Sequence, residues 1–214
     1  MMPGPPGRAA DGWREGVLVP ERGEPTVGAR RTLVVKFGGS LLSRAGWPDL
    51  AGRLVAAHAA RGGCLVVGGG AVVEGLREID RASAGSRDRM HRLAIEAMGL
   101  TGRLVAETLG LPVASEPGDG LTVLDVDAWL ARDGRGLSLP SGWQVTSDSI
   151  AARVADVHRA GLLLFKSRPP PPCPESGDPL AGLAAAGWVD EYFPEAAGGL
   201  GEIRWAAPSD SRTS

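Results

Sequence analysis

From Thr32 onward, short apolar runs alternate with longer stretches of helical periodicity, and few architectures accept that alternation. The strand candidates are 32–37 (TLVVKF), 64–67 (CLVV), 112–115 (PVAS), 121–124 (LTVL), 161–165 (GLLLF) and 202–206 (EIRWA). CLVV and GLLLF are continuously apolar, which suits strands covered on both faces. Between them, 48–61, 71–83, 87–109, 126–132 and 148–159 read as helices. In the segment 87–109, Met90, Leu93, Ala94, Ala97, Met98, Thr101, Leu104, Val105 and Leu109 recur at spacings of three and four, giving one core-facing stripe. The expected class is α/β.

A chain of 214 residues fits one domain. Residues 1–30 are rich in Pro, Gly and charge without the apolar stretch of a secretory signal, so they read as a disordered leader. Residues 207–214 (APSDSRTS) read as a second loose tail, which leaves 31–206 as the domain. No run is long and apolar enough for a transmembrane helix. The segment 167–179 (SRPPPPCPESGDP) contains four consecutive prolines and reads as a stiff connecting loop.

Charge narrows the partners. With 23 basic against 25 acidic residues, the formal net charge of −2 provides no general attraction to nucleic acid or to an anionic membrane. The expected partner is a small molecule. Cys64 and Cys173 are too few for a disulfide framework or a four-ligand zinc site, and no metal-ligating set is evident. A reducing cytoplasm suits this composition.

Of the 23 basic residues only Lys36 and Lys166 are lysines. Lysine offers a compact, rotatable ammonium where arginine offers a planar fork, so a chain this biased towards arginine points to two places where a point charge is needed. Each lysine ends an apolar strand candidate, in RTLVVKFGGSLL (31–42) and GLLLFKS (161–167). After Lys36, Gly38, Gly39 and Ser40 make a tight turn, and in CLVVGGGAVVEGLREID the glycines Gly68, Gly69 and Gly70 stand between a strand and an amphipathic helix. Glycine turns at the carboxyl ends of strands let backbone N–H groups approach an anion, and a helix N-terminus adds its dipole. Neither turn fits the G-x-x-x-x-G-K-[ST] loop, and the G-x-G-x-x-G fingerprint is absent. In WQVTSDSIAARVADVH, Ser147 or Asp148 is expected to cap the helix that follows.

These four segments in order, K-F-G-G-S, V-G-G-G, T-S-D-S and L-F-K-S, resemble the amino acid kinase family, which includes aspartate, acetylglutamate and uridylate kinases. The resemblance implies a three-layer α/β/α sandwich with an open, mainly parallel sheet, and an ATP-dependent phosphotransferase working with Mg2+. It implies that Lys36 reaches the transferring phosphoryl group, that Asp148 positions the lysine side chains, and that Lys166 contacts phosphate. Gly38, Gly39 and Ser40, with Ser147 and Ser149, match the nucleotide phosphate side, and Gly68, Gly69 and Gly70 match the turn that faces the acceptor. His91, between Arg89 and Arg92, is an acceptor-site candidate. His58 and His158 read as surface positions near helix ends. Trp143 and Trp188 lie near loops and are expected to pack.

Within the family, MHRLAIEAM, WQVTSDSIAARVA, LLLFKS and GWVDEYFP are similar to the small kinases of methanofuran biosynthesis and their relatives in one-carbon metabolism. That branch implies an aminomethylfuran-methyl phosphate acceptor, converted to its diphosphate. Gln144 stands where the family pattern has an aspartate, and KSRPPPP replaces its T-D-V-D-G type segment. The alternatives are a carboxylate kinase forming an acyl phosphate and a non-catalytic nucleotide-binding subunit. The resemblance also implies a homo-oligomer.

Overall fold

The computed structural model describes residues 7–8, 13–19, 32–58, 62–83, 85–132, 134–135, 139–172 and 178–209. In chain order the elements are β1 (Gly7–Arg8), β2 (Trp13–Val19), β3 (Leu33–Phe37), a 3-10 turn (Gly39–Ser43), α1 (Trp47–His58), β4 (Gly63–Val67), α2 (Gly70–Ser83), α3 (Arg87–Leu109), β5 (Val113–Ala114), β6 (Leu121–Leu124), α4 (Val126–Ala131), α5 (Ser147–Val157), β7 (Gly161–Phe165), α6 (Pro179–Ala185), α7 (Phe193–Ala196) and β8 (Ile203–Pro208). The described strands form one sheet in the order β1-β2-β8-β7-β3-β4-β6-β5. β1 and β2 are antiparallel additions at one edge, and every other pairing is parallel.

The continuously apolar runs become the centre of the sheet. β3, β4, β6 and β7 are buried at every position. Alternate residues then feed two separate cores, because successive side chains of a strand leave opposite faces. Val34, Cys64, Val66, Leu162 and Leu164 pack beneath α4, α5, α6 and α7. Val35, Leu65, Val67 and Leu163 pack against Leu50 and Leu54 of α1 and Val105 of α3. Helices on both faces of a mainly parallel sheet make the three-layer α/β/α sandwich.

Three sequence expectations change. Residues 13–19, assigned to a disordered leader, are a strand paired with β8, and Trp13 is buried against Phe165 with ring centroids 6.2 Å apart. Glu15 fastens this strand: it accepts from Trp13 Nε1 at 2.6 Å and from Arg204 Nη2 at 2.9 Å. The remainder of the leader, apart from β1, lies outside the described residues. The tail 207–214 begins inside β8, where Ala207 is buried and Pro208 pairs with Trp13; residues 210–214 lie outside the described residues. In α3, Leu104 is exposed and Ile95 takes a core place instead, since Ile95 lies on the sheet side of the helix and Leu104 on the solvent side. The connector after Lys166 has no regular structure in its described part, residues 167–172, and α6 starts at Pro179 with Asp178 accepting from Leu180 N at 2.9 Å. No helix among the described residues is long and apolar enough to cross a membrane.

Candidate active site

The sheet register puts both lysines on one face. Lys36 is level with Leu164 of the adjacent parallel strand, and Lys166 follows two residues later, so both side chains project towards the layer that holds α5. There they meet the first turn of α5. Lys36 Nζ lies 2.9 Å from Asp148 Oδ1, and Lys166 Nζ donates to Oδ1 at 3.0 Å and to Oδ2 at 2.8 Å. All three residues are held in by the sheet and helix around them, and Asp148 is only 5 % exposed.

Burial alone would raise the Asp148 carboxyl, but the two ammonium groups outweigh it and hold it below the ordinary carboxylate range. Lys166 moves the other way. Burial, with the repulsion of Lys36 added, lowers it to about 8 despite the attraction of Asp148. Its ammonium also lies 5.0 Å from the centre of the Trp188 ring, whose Nε1 donates to Arg168 O at 3.1 Å. Trp188 therefore packs, as expected, and packs directly under a lysine of the site.

The two glycine turns touch. Gly38 N donates to Phe165 O at 2.8 Å, and Gly68 N donates to Phe37 O at 2.9 Å, so each turn is tied to a neighbouring strand end. A Cβ on Gly39 would collide with the Gly70 amide and lie 2.7 Å from Gly68 O. Gly70 is the first residue of α2 and has φ +54, a conformation that favours glycine. Gly69 has no such requirement; a side chain there would run into Val73. Thr101 Oγ1 donates to one of three nearby carbonyls, with Gly68 O at 3.2 Å, which braces this turn from α3.

A cleft of about 630 Å3 opens at these strand ends. Lys36, Lys166, Gly38, Gly39, Ser40, Gly68, Gly69, Gly70, His91 and Ser147 all border it. Ser40 Oγ is also 3.1 Å from Ser167 Oγ across the turn. Ser149 does not reach the cleft: it is fully buried, and its hydroxyl bonds to Asp190. The expected cap is corrected with it. Thr146 is the N-cap residue and makes no side-chain cap bond. Asp190 supplies the cap from a distant loop, accepting from Thr146 N at 2.9 Å, Thr146 Oγ1 at 2.7 Å and Ser149 N at 3.1 Å. Ser147 and Asp148 are thereby left free of capping duty, one bordering the cleft and the other bound to the lysines.

The far wall was not legible as a site. Val73, Glu74, Arg77 and Glu78 line it from α2, at spacings of three and four from Gly70, the periodicity that could have found them. The Arg77 guanidinium lies 5.1 Å from the Trp143 ring centre, and Trp143 Nε1 donates to Asp80 at 2.7 Å. Trp143 is thus part of the cleft wall. Ile95, Met98, Val145 and Ile150 supply an apolar back. His91 stands at the rim, where burial lowers it from the usual histidine value. The other two histidines are elsewhere. His58, expected at the surface, is buried beside β2, with Nε2 4.0 Å from Glu15. His158 is partly buried, accepts from Trp129 Nε1 at 3.2 Å and lies 3.2 Å from Glu116.

No family model matches the chain, and no curated protein matches it in sequence. Solved structures do. Uridylate kinase from Archaeoglobus fulgidus is similar, with a TM-score of 0.60 at 15% identity over 82% of this chain and 90% of that one. UMP kinase from Bacillus anthracis is similar with a TM-score of 0.51 at 11% identity, over 85% and 97% of the two chains. The chain has the amino acid kinase fold. At these identities the likeness speaks for architecture, and in the amino acid kinase fold seen here the cleft opens at the carboxyl ends of the parallel strands, where open α/β sheets bind ligands.

Proposed function

We propose that this protein is an ATP-dependent phosphotransferase acting on a small phosphorylated acceptor. The observation that carries the reading is the pair of ammonium groups on one buried carboxylate, set between two abutting glycine turns at strand ends. Phosphoryl transfer needs little covalent help. It needs donor and acceptor in line and positive charge around the transferring oxygens. In this reading Lys36 and Lys166 supply that charge to the phosphoryl group, and Asp148 aims both without itself reacting.

The residues present fit a polyphosphate chain. The glycines let the turn at Gly38–Ser40 and the start of α2 abut without side chains between them, and both border the cleft, where backbone and a helix N-terminus can face anionic oxygens. Among the described residues no group of three acidic, histidine or cysteine side chains converges on a metal. Both Asp148 oxygens are already engaged by lysines. Mg2+ would accordingly be held by nucleotide oxygens and water, adding charge neutralisation at the phosphates.

The same engagement of Asp148 bears on the acceptor. A carboxylate bound by two ammonium groups and held below its ordinary range is a poor proton acceptor. An acceptor that is already anionic, such as a phosphomonoester or a carboxylate, needs no such base. Arg77 on the opposite wall offers a planar fork to a phosphate, and the apolar back of the cleft offers a surface to a ring, which together favour a phosphomonoester carrying a ring. Aminomethylfuran-methyl phosphate, implied by the sequence resemblance, meets that description, and so does UMP. The setting in this reading is the cytoplasm.

The test is ADP release from MgATP with furan-methyl phosphate, UMP, aspartate, acetylglutamate or no acceptor. Acceptor-dependent ADP with a phosphomonoester is expected. Turnover with aspartate or acetylglutamate alone would make the protein a carboxylate kinase, and nucleotide binding without turnover on any acceptor would make it a binding subunit.

A further inference from the structure

One residue bears on the lysine cluster from outside the cleft. Among the described residues that line the cleft Trp188 is absent, and it is 3% exposed. Two of its groups nevertheless meet the stretch that carries Lys166. The Lys166 ammonium lies over the indole, 5.0 Å from the ring centre, and Nε1 donates to Arg168 O at 3.1 Å. The first contact holds the charge and the second holds the backbone two residues beyond it. The indole therefore constrains both where the chain leaves β7 and where the ammonium comes to rest.

Trp188 is itself fixed from both sides of its turn. Gly187, with φ +64, ends α6: its N–H donates to Ala184 O at 2.9 Å and the Trp188 N–H to Leu183 O at 2.9 Å, the paired bonds that close a helix through a left-handed glycine. Two residues after Trp188, Asp190 accepts from Thr146 N and Ser149 N at the start of α5, which fastens the turn to the helix carrying Asp148. Tyr192 N adds a bond to Gln144 O at 3.2 Å, just before the same helix. The turn 187–192 is thus locked to α5, and the indole keeps a set place relative to the carboxylate that Lys166 binds.

Electrostatics explains why a lysine here benefits from such a neighbour. The charged groups bearing on Lys166 are Lys36 from β3, which repels it, and Asp148 from α5, which both lysines share. Burial strips water from the ammonium as well. The negative face of an aromatic ring attracts a cation without taking a place on Asp148, and the attraction strengthens where water is excluded. Ring and carboxylate together confine the ammonium where Lys166 borders the cleft.

We infer that Trp188 is a positioning residue for phosphoryl transfer, acting through Lys166 by holding its ammonium against Asp148 at the edge of the cleft. The effect on rate rests on the phosphotransfer reading, whereas the effect on Lys166 does not.

Selective isotopic labelling of lysine in the full chain, without substrates, reads Lys166 directly. A tetrafluorinated tryptophan placed at position 188 keeps the shape and the Nε1 donor of the indole but removes its negative face, and Lys166 is expected to titrate below its wild-type value of about 8. Trp188→Leu is expected to lower the titration too, and Trp188→Phe, which keeps a ring, to lower it less. In the acceptor assay Trp188→Leu is expected to lower kcat about 10-fold with KM for the phosphomonoester unchanged, the loss of one cation–ring contact beside the transferring group. In a Lys166→Met background the same substitution is expected to cost nothing more, because the residue through which it acts is gone. A Lys166 titration unmoved or raised by the fluorinated ring overturns the inference, and so does a loss of kcat as large without Lys166 as with it. No turnover on any acceptor, with the titration lowered as expected, overturns the phosphotransfer reading instead and supports the hold of Trp188 on Lys166.

Discussion

Lys36 and Lys166 share one carboxylate, and Lys36 makes the charge of Lys166 harder to hold. Because the chain has two lysines, selective isotopic labelling of lysine gives two side-chain signals. We expect one of them, Lys166, to titrate near pH 8. Replacing Lys36 with Met removes a positive neighbour that lowers Lys166, so its titration should move up towards the unperturbed 10.5. A Lys166 signal that titrates at its ordinary value in the wild type would contradict the geometry. The sign for stability follows from proton counts. The unfolded lysine keeps its proton to about pH 10.5 and the folded one loses it near 8, so the penalty for this group is full below pH 8 and is relieved between the two values. The sign for activity is opposite: catalysis that needs the ammonium declines as pH rises through the folded value, and bound phosphate shifts that decline upward.

At the scale of elements, the two glycine turns behave as one unit because neither leaves room for a side chain in the other. Gly39→Ala would drive a methyl group into the Gly70 amide, and backbone there cannot swing aside as a flexible side chain could. We expect a loss of about 1–3 kcal/mol of stability, the usual cost of overpacking, together with loss of nucleotide binding; calorimetry and a binding titration check both. Unchanged nucleotide affinity in Gly39→Ala would separate the turns from the anion site. The turns were legible in the sequence because glycine clusters between an apolar run and a helix have few other uses. Lys36 and Lys166 were legible because they are the only lysines, and Asp148 because it opens a helix. Ser149 was misread for the opposite reason: T-S-D-S offers four small polar residues in a row, and only Asp190, 41 residues beyond Ser149, decides which of them turn inward. Arg77 and Trp143 were not read as cleft residues because their pairing exists only once α2 lies against the loop before α5. The start of α6 was signalled by Asp178 before Pro179, a cap followed by a first-turn proline, and was hidden by the proline-rich run preceding it.

At the scale of the whole molecule, the edge strand β2 belongs to the site's support. Trp13 packs edge-on to Phe165, Phe165 packs on Phe37 at 5.7 Å, and these two phenylalanines immediately follow or precede the lysines in the chain. Trp13→Ala is expected to cost about 3–5 kcal/mol, read as a lowered denaturation midpoint, because a fully enclosed aromatic leaves a cavity. A stability change near zero would mean that β2 is only loosely attached. This dependence was not legible in the sequence: WREGVLV lies amid proline, glycine and charge, and nothing local shows that Glu15 meets Arg204 almost 190 residues away. The sheet's centre, by contrast, was readable from hydrophobicity alone, since strands covered on both faces have no polar side to disguise them.

Two small ammonium groups are aimed from adjacent strand ends, and the rate of acceptor-dependent ADP formation in Lys→Arg variants tests their part in phosphoryl transfer. Arginine keeps the charge but spreads it over a plane that cannot occupy the same points beside Asp148. Lys36→Arg and Lys166→Arg should each lower turnover on the order of 100-fold or more, the effect of losing a well-aimed electrostatic contact, with little change in melting temperature. Arg53→Lys, on the exposed face of α1, should leave the rate unchanged. Near-normal turnover in both arginine variants would show that the two lysines are incidental to phosphoryl transfer.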